Sequence, residues 1–342
     1  MWPNSSIEPM NTVKYLVIRF SSIGDIVLTT PVVRMLKQQV ENAEVHYLTK
    51  AKFRSLVDSN PYVDKVHALE DNMSAIINTL QDEGYDYVID LHRNLRSMRV
   101  KRALHRMSFT FNKLNWKKWL YVRFKLNKMP DLHIVDRYLE TTKLFDVQND
   151  KQGLDYFFSA DYTPSLKLPP DFSSGYLVAV LGANHATKQM PNETLIHVLN
   201  KAGKPVLLIG GDAEKENADA IVRDLNVPVS NQCGQLSIDG SAGAIQNSKL
   251  VLTPDTGMMH IAAALSKPVI SVWGNTTPEL GMYPYMPGER HKYYIAEVKD
   301  LSCRPCSKIG FEKCPKGHFD CMKKQDTDAI VSQIKIFWNK YE

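Results

Sequence analysis

Residues 249–278 read KLVLTPDTGMMHIAAALSKPVISVWGNTTP. The apolar run 250–252 breaks at Thr253-Pro254, because proline has no N–H for a sheet ladder and pushes its predecessor out of the helical region. A buried parallel strand would stop there. Asp255 and Thr256 are N-cap residue types, Gly257 permits close backbone approach, and 258–265 is rich in strong helix formers, so a helix begins. A second apolar run, 268–273, closes at Gly274. Strand, turn, helix and strand make one βαβ unit, whose turn offers free N–H groups and the positive end of a helix dipole. Such a turn seats anions, most often nucleotide phosphates, although the string taken alone reads equally well as a plain strand-to-helix connection.

A second stretch near the start weighs against the plain connection. KYLVIRF at 14–20 reads as the first strand, and Ser21-Ser22-Ile23-Gly24-Asp25 turns it into a helix carrying Ile26, Val27, Leu28, Val32, Val33 and Leu36. No G-x-G-x-x-G follows that strand, so the signal for a dinucleotide cofactor is missing. In its place Asp25 sits in a first helical turn beside Gly24. With both stretches in view the chain resembles glycosyltransferase family nine, the lipopolysaccharide heptosyltransferases, whose motifs look like S-S-x-G-D-(I/V)-x-x-T-x-P and D-(S/T)-G-x-x-H-x-A-A-A. Residues 21–31 and 255–264 carry the match, and the similarity runs from about 14 to 331.

The resemblance implies an α/β chain of GT-B type, two doubly wound Rossmann-like domains facing a central cleft. It implies an inverting glycosyltransferase that moves a heptose or related sugar from an ADP-heptose-type donor to the inner core of lipopolysaccharide, with no cofactor required. Inversion needs a base for the acceptor hydroxyl proton and a positive region for the leaving diphosphate. Asp25 is the base candidate, with Ser22, Gly24, Arg93 and Arg96 on the acceptor side. The helix start at Thr256-Gly257, assisted by Lys188, is the leaving-group seat. By the family match Asp255 would bind donor hydroxyls, and His260 would lie near the phosphate or in the helix packing.

Residues 182–188, GANHATK, look like the family's second phosphate-contacting element, which contributes Thr187 and Lys188; Gln189 and Met190 stand where Arg and Trp are usual. Glu214 resembles the carboxylate that holds the nucleoside ribose, while an acid in a first helical turn is also favoured by the dipole alone. Strands are expected at 44–49, 65–69, 87–91, 176–181 and 205–209, alternating with helices, which means parallel sheets with ligands at their carboxyl ends. Proline and polar residues at 146–174 mark a linker. The expected domains are 1–160 for the acceptor, 161–325 for the nucleotide sugar, and a helix at 326–342 packing back toward the first.

At 342 residues the chain exceeds one core, and 44% hydrophobic with 23% charged residues is a soluble globular composition. The start, MWPNSSIEPMNTVK, has no secretory pattern, so the expected place is the cytoplasm, peripheral on the inner face of the membrane. The net charge is only +5, but no acidic residue lies between Asp90 and Asp131, while twelve cations run from Arg93 to Lys128, interleaved with aromatics. Such a surface suits anionic lipid headgroups or nucleic acid on charge alone, and as a solvated helical face it would suit neither. The family resemblance favours a lipid A core acceptor at the membrane and no nucleic acid. Cys303, Cys306, Cys314 and Cys321, spaced C-x2-C-x7-C-x6-C, read either as a structural Zn²⁺ site or as packed free thiols. Two other functions stay open: the same fold with a different nucleotide-sugar donor in cell-surface glycan synthesis, and a non-catalytic membrane- or nucleic-acid-binding module.

Overall fold

A computed structural model describes residues 12–164 and 166–341. The first eleven residues, on which the reading of the N-terminus rests, lie outside the described part.

The chain divides into two compact units. The first comprises residues up to Lys113 together with Val135–Asp150. Its sheet holds β1 (Val13–Ile18), β2 (Ala43–Lys50), β3 (Lys65–Leu69), β4 (Tyr87–Asp90) and β5 (Met107–Thr110), in the order β3-β2-β1-β4-β5 with every pair parallel. Leu16, Val17 and Ile18 are fully buried, as a strand covered by helices on both faces requires. The sequence predicts one helix after β1; the structure has two, Ile23–Val27 and Thr30–Gln39. Pro31 lacks the N–H that a continuous helix would use. The hydroxyls of Thr29 and Thr30 instead donate to Ile26 O and Val27 O at 2.7 and 2.8 Å, closing the first helix.

The second unit takes Leu114–Ile134 and the chain from Lys151 onward. It holds β6 (Leu177–Val180), β7 (Val206–Ile209), β8 (Val229–Asn231), β9 (Leu250–Pro254), β10 (Val269–Trp273) and β11 (Tyr293–Glu297), ordered β11-β10-β9-β6-β7-β8, again all parallel. In each sheet the first strand lies beside the strand on which the order reverses, β1 by β4 and β6 by β9. Those are the switch points where doubly wound sheets bind ligands.

Two boundaries differ from expectation. Leu114–Ile134, expected in the first domain, belongs to the second unit: Ile134 N donates to Gly281 O at 2.8 Å, and Lys125 Nζ reaches Cys303 O and Pro305 O. The C-terminal helix Thr327–Lys340 was expected to pack toward the first domain. Its Ile330, Val331, Ile334 and Phe337 are instead part of the second unit's core, together with Leu195, Val198 and Leu199 of the helix Asn192–Ala202. Its apolar stripe is satisfied there, beside β9 and β10. No helix among the described residues is long and apolar enough to cross a membrane.

Candidate active site

At the switch point of the first sheet, the helix that opens after β1 presents Asp25. Its Oδ1 pairs with Arg19 Nη2 at 2.7 Å, and its Oδ2 accepts from Ser22 N at 3.1 Å and Ser22 Oγ at 3.0 Å. Arg19 is itself buried and donates to Ser21 O, Leu91 O and the Tyr138 hydroxyl. Burial opposes the charge on Arg19, but Asp25 and then Tyr138 and Tyr47 outweigh it, and its pKa is raised. Gly24 is buried in the same turn.

Across the switch point β4 ends at Asp90, which pairs with Lys101 at 2.9 Å and accepts from Ser97 Oγ and from the N–H groups of His92 and Arg93. It is a bracket for the turn. His92 stands over Phe20, with Nδ1 buried and without a hydrogen-bond partner among the described residues. Burial, then Arg19 and Lys113, pull its pKa down to about 4. Arg93 adopts the left-handed conformation with φ 52° and reaches Phe111 O and Asn112 Oδ1 at 3.4 and 3.3 Å, whereas Arg96 is exposed. Arg19 and His92 were not anticipated. A lone cation inside the apolar strand KYLVIRF was the legible clue to Arg19; His92 had none.

In the second unit the loop after β6 and the loop after β9 meet through Lys188 and Asp255. Lys188 Nζ lies 2.7 Å from Asp255 Oδ2, to which Thr276 Oγ1 also donates at 3.1 Å. Thr187 was expected to touch donor phosphate, but its hydroxyl donates to Phe311 O and accepts from Phe311 N, both at 2.8 Å, and the residue is buried. Its side chain is committed to holding the loop. Glu214 Oε2 accepts from Gly211 N at 2.8 Å, so the dipole-end role is real. The same carboxylate lines a cavity of ≈ 320 Å³ with Asn217, Gln189, Met190, Thr253, Phe319 and Lys323. A Cβ on Gly182 would sit 3.1 Å from that carboxylate, so the glycine lets β6 run past it.

Thr256 is the N-cap of the helix Gly257–Ala264, in extended conformation and with no side-chain cap bond, which leaves the first amides of the helix to other partners. His260 is buried inside that helix. After β10, Asn275 is 2% exposed, and neither atom of its amide has a hydrogen-bond partner among the described residues. A buried amide with nothing bound to it calls for a ligand or a water. Arg304, donating to Gly274 O and Thr276 O and paired with Glu297 at 2.7 Å, fixes this loop.

The four clustered cysteines are free thiols. Cys306 Sγ donates to Cys303 O at 3.0 Å, and Cys303 Sγ lies 3.8 Å from His318 Nε2, a neighbour not anticipated. Burial and then Cys303 push Cys306 up to about 11; burial and then Cys306 push Cys321 up to about 12. The thiols thus sense one another. They are not drawn into a ligand set: the trio of His, Cys, Asp or Glu side chains with ligand atoms within 4.8 Å of one another, among the described residues, is His46, His67 and Glu83.

The basic segment is divided: its first part carries the helix Leu95–Leu104 and β5 in the first unit, and its second part the helix Asn115–Phe124, with Trp116 67% and Trp119 46% exposed and their rings stacked at 4.7 Å. Lys125, instead of facing outward, donates to Val122 O, Cys303 O and Pro305 O.

The family model described as glycosyltransferase family 9 (heptosyltransferase) matches residues 73–310. Lipopolysaccharide heptosyltransferase 1 of Campylobacter coli is 25% identical over 292 residues, covering 77% of this chain and 84% of that protein. Among solved structures, the family 9 glycosyltransferase from Veillonella parvula superposes with a TM-score of 0.74 at 18% identity, over 97% of this chain and 99% of that one. Escherichia coli heptosyltransferase WaaC with ADP gives 0.67 at 22%, over 95% and 100%. The common architecture is GT-B, as expected.

Proposed function

The chain belongs to glycosyltransferase family 9, the heptosyltransferases, and from that premise we propose that it moves a heptose with inversion from ADP-heptose to the inner core of lipopolysaccharide. The observation that carries the mechanism is the carboxylate of Asp25, held by Arg19 and Ser22 at the switch point of the first sheet. Arg19 and Ser22 fix its orientation, and a carboxylate so held is the group that takes the proton of an incoming hydroxyl. The negative charge that develops on the departing diphosphate is met in the second unit by Lys188 and by the amides of Thr256 and Gly257 at a helix start. Lys188 exchanges its bond to Asp255 for a phosphate oxygen, which frees Asp255 to accept from donor hydroxyls. Glu214, on the wall of the ≈ 320 Å³ cavity, accepts from the ribose. His260 packs the helix that supplies the amides.

The charged segment supports a reading of acceptor and place. Trp116, Trp119, Lys117 and Arg123 suit an anionic bilayer surface, with the lipid A core as acceptor and the cytoplasmic face as location. For the cysteines, a structural Zn²⁺ would need Cys303, Cys306 and Cys314 of the loop and Cys321 of the helix Asp320–Lys323 to lose their protons and close in together.

A second reading has a specific observation behind it. Gln189 and Met190, which stand where Arg and Trp are usual, both line the cavity, so a different sugar nucleotide is the alternative donor. Thermal shift with ADP-heptose, ADP-glucose, UDP-sugars and GDP-sugars separates the two. Stabilisation by RT ln(1 + [L]/Kd), about 2.7 kcal/mol at a hundredfold excess over Kd, is expected from ADP-heptose; a shift with only UDP- or GDP-sugars overturns the first reading.

A further inference from the structure

The first unit holds a group of ligating side chains that the transfer reaction does not use. His46 lies in the middle of β2 and His67 in the middle of β3, on one face of the sheet; Glu83 follows the helix Met73–Asp82 and precedes β4. Glu83 approaches from the amino end of β4, while His46 lies level with Leu16 of β1 and His67, through Leu48, level with Ile18. His46 and His67 are both buried, and Glu83 is partly so.

His46 Nδ1 and His67 Nε2 face each other at 3.4 Å; Glu83 Oε2 is 3.8 Å from the first and Oε1 3.7 Å from the second. For metal bonds of about 2.0–2.2 Å, the edge of a tetrahedron is about 3.3–3.6 Å. The edge between the two nitrogens already matches, and the two Glu83 distances, one to each carboxylate oxygen, need a turn of the carboxylate to bring one oxygen to both nitrogens. Tyr85 Oη, 2.9 Å from both nitrogens, stands near the fourth vertex.

The surroundings match those of ligating histidines as well. Glu44 Oε1 lies 2.8 Å from His46 Nε2, so a proton on Nε2 leaves the Nδ1 lone pair turned toward the group. A carboxylate behind a histidine is the usual outer support of a metal ligand. Lys65 pairs with Glu83 Oε1, which leaves Oε2 for coordination.

We propose that His46 Nδ1, His67 Nε2 and Glu83 form a divalent transition-metal site, with two imidazoles and one carboxylate suited to Zn²⁺, tying β2, β3 and the entry to β4 together. The competing account is a purely protonic one, in which His67 donates to Tyr85 and Tyr85 to His46.

The test compares full-length native protein with His67→Gln after chelator treatment and dialysis, by calorimetric titration with Zn²⁺ alone. The native chain is expected to take up one equivalent more than the variant, and Zn²⁺ to raise the melting temperature of the native chain by a margin the variant lacks. Co²⁺ bound in the same equivalent should give visible d–d bands without the near-ultraviolet charge transfer of thiolate ligation, which separates it from the cysteines. Glu44→Gln should weaken the equivalent about 10–100-fold without abolishing it. Should His67→Gln not fold, Glu83→Gln, altering a partly exposed side chain, gives the same reading. Equal Zn²⁺ stoichiometry in the native chain and the folded variant overturns the proposal in favour of the protonic network.

Discussion

Asp25 and Arg19 constrain what any substitution at the base can mean. Only 22% of the Asp25 side chain is exposed, and its partner Arg19 is more buried still, so removing the carboxylate strands a guanidinium. Asp25→Asn is therefore expected to lower stability by up to about 3 kcal/mol, less than for a fully buried pair. Turnover, measured well below the melting temperature at saturating acceptor, should fall at least about 10²-fold. Donor-induced stabilisation should persist, since the residues proposed to hold the donor belong to the other unit; near-native turnover would remove Asp25 from the mechanism. His92 gives a pH dependence. Its pKa is 6.5 in the unfolded chain and about 4 when folded, so between those values the unfolded state binds more protons. Stability is then flat above about 6.5 and falls as pH drops toward 4. Melting curves from pH 7.5 to 4.5 should show this slope, and His92→Gln should reduce it by about half, since His67 is shifted in the same direction and by a similar amount; an unchanged slope would assign the acid sensitivity to other groups. Asp25, Lys188 and Asp255 were legible because they sit in motifs where a strand hands over to a helix. His92 was not, and Arg19 only as an odd cation in an apolar strand, because what makes them part of the site is the pairing of β1 with β4, which brings residues some seventy positions apart side by side.

At the scale of elements, the helix Asn115–Phe124 departs from ordinary amphipathic burial: none of its residues is fully buried. Its stacked tryptophans and its cations share an exposed surface, the composition of an interfacial helix. Trp116→Ser, Trp119→Ser, Lys117→Gln and Arg123→Gln together should weaken cosedimentation with anionic vesicles at least about tenfold, given roughly 1 kcal/mol per surface cation. They should raise KM for a lipid-linked acceptor more than for a short soluble one; vesicle binding that is absent or unaltered would overturn the membrane role proposed for this helix. Lys125 is left out of this set because its amine closes the C-terminus of the helix and holds the cysteine loop. The central strands were readable as apolar runs, several of them to within a residue or two, whereas the outer strands β5, β8 and β11 were not read. The break between the helices Ile23–Val27 and Thr30–Gln39 was not read, although Pro31 stood in plain view, because the apolar spacing continues across it.

At the scale of the molecule, the chain passes between its two units at 113/114, 134/135 and 150/151. Composition could not show the first two crossings: the basic segment has no linker signature, and its assignment rests on contacts such as Lys125 with the cysteine loop. A fragment spanning 151–342 therefore lacks a piece of its own unit. It is expected to melt at a lower temperature, and to bind ADP more weakly, than a fragment in which 114–134 is supplied by fusion through a flexible linker; equal behaviour would make the excursion dispensable. The same crossings bear on how the family can evolve. In a two-part enzyme joined by one tether, recombination at a single breakpoint exchanges the sugar-nucleotide half intact, so donor specificity travels freely between lineages. Here a lone breakpoint in the linker leaves Leu114–Ile134 behind, matched to the wrong partner, and donor preference should drift by point substitution around the cavity more readily than by gene exchange.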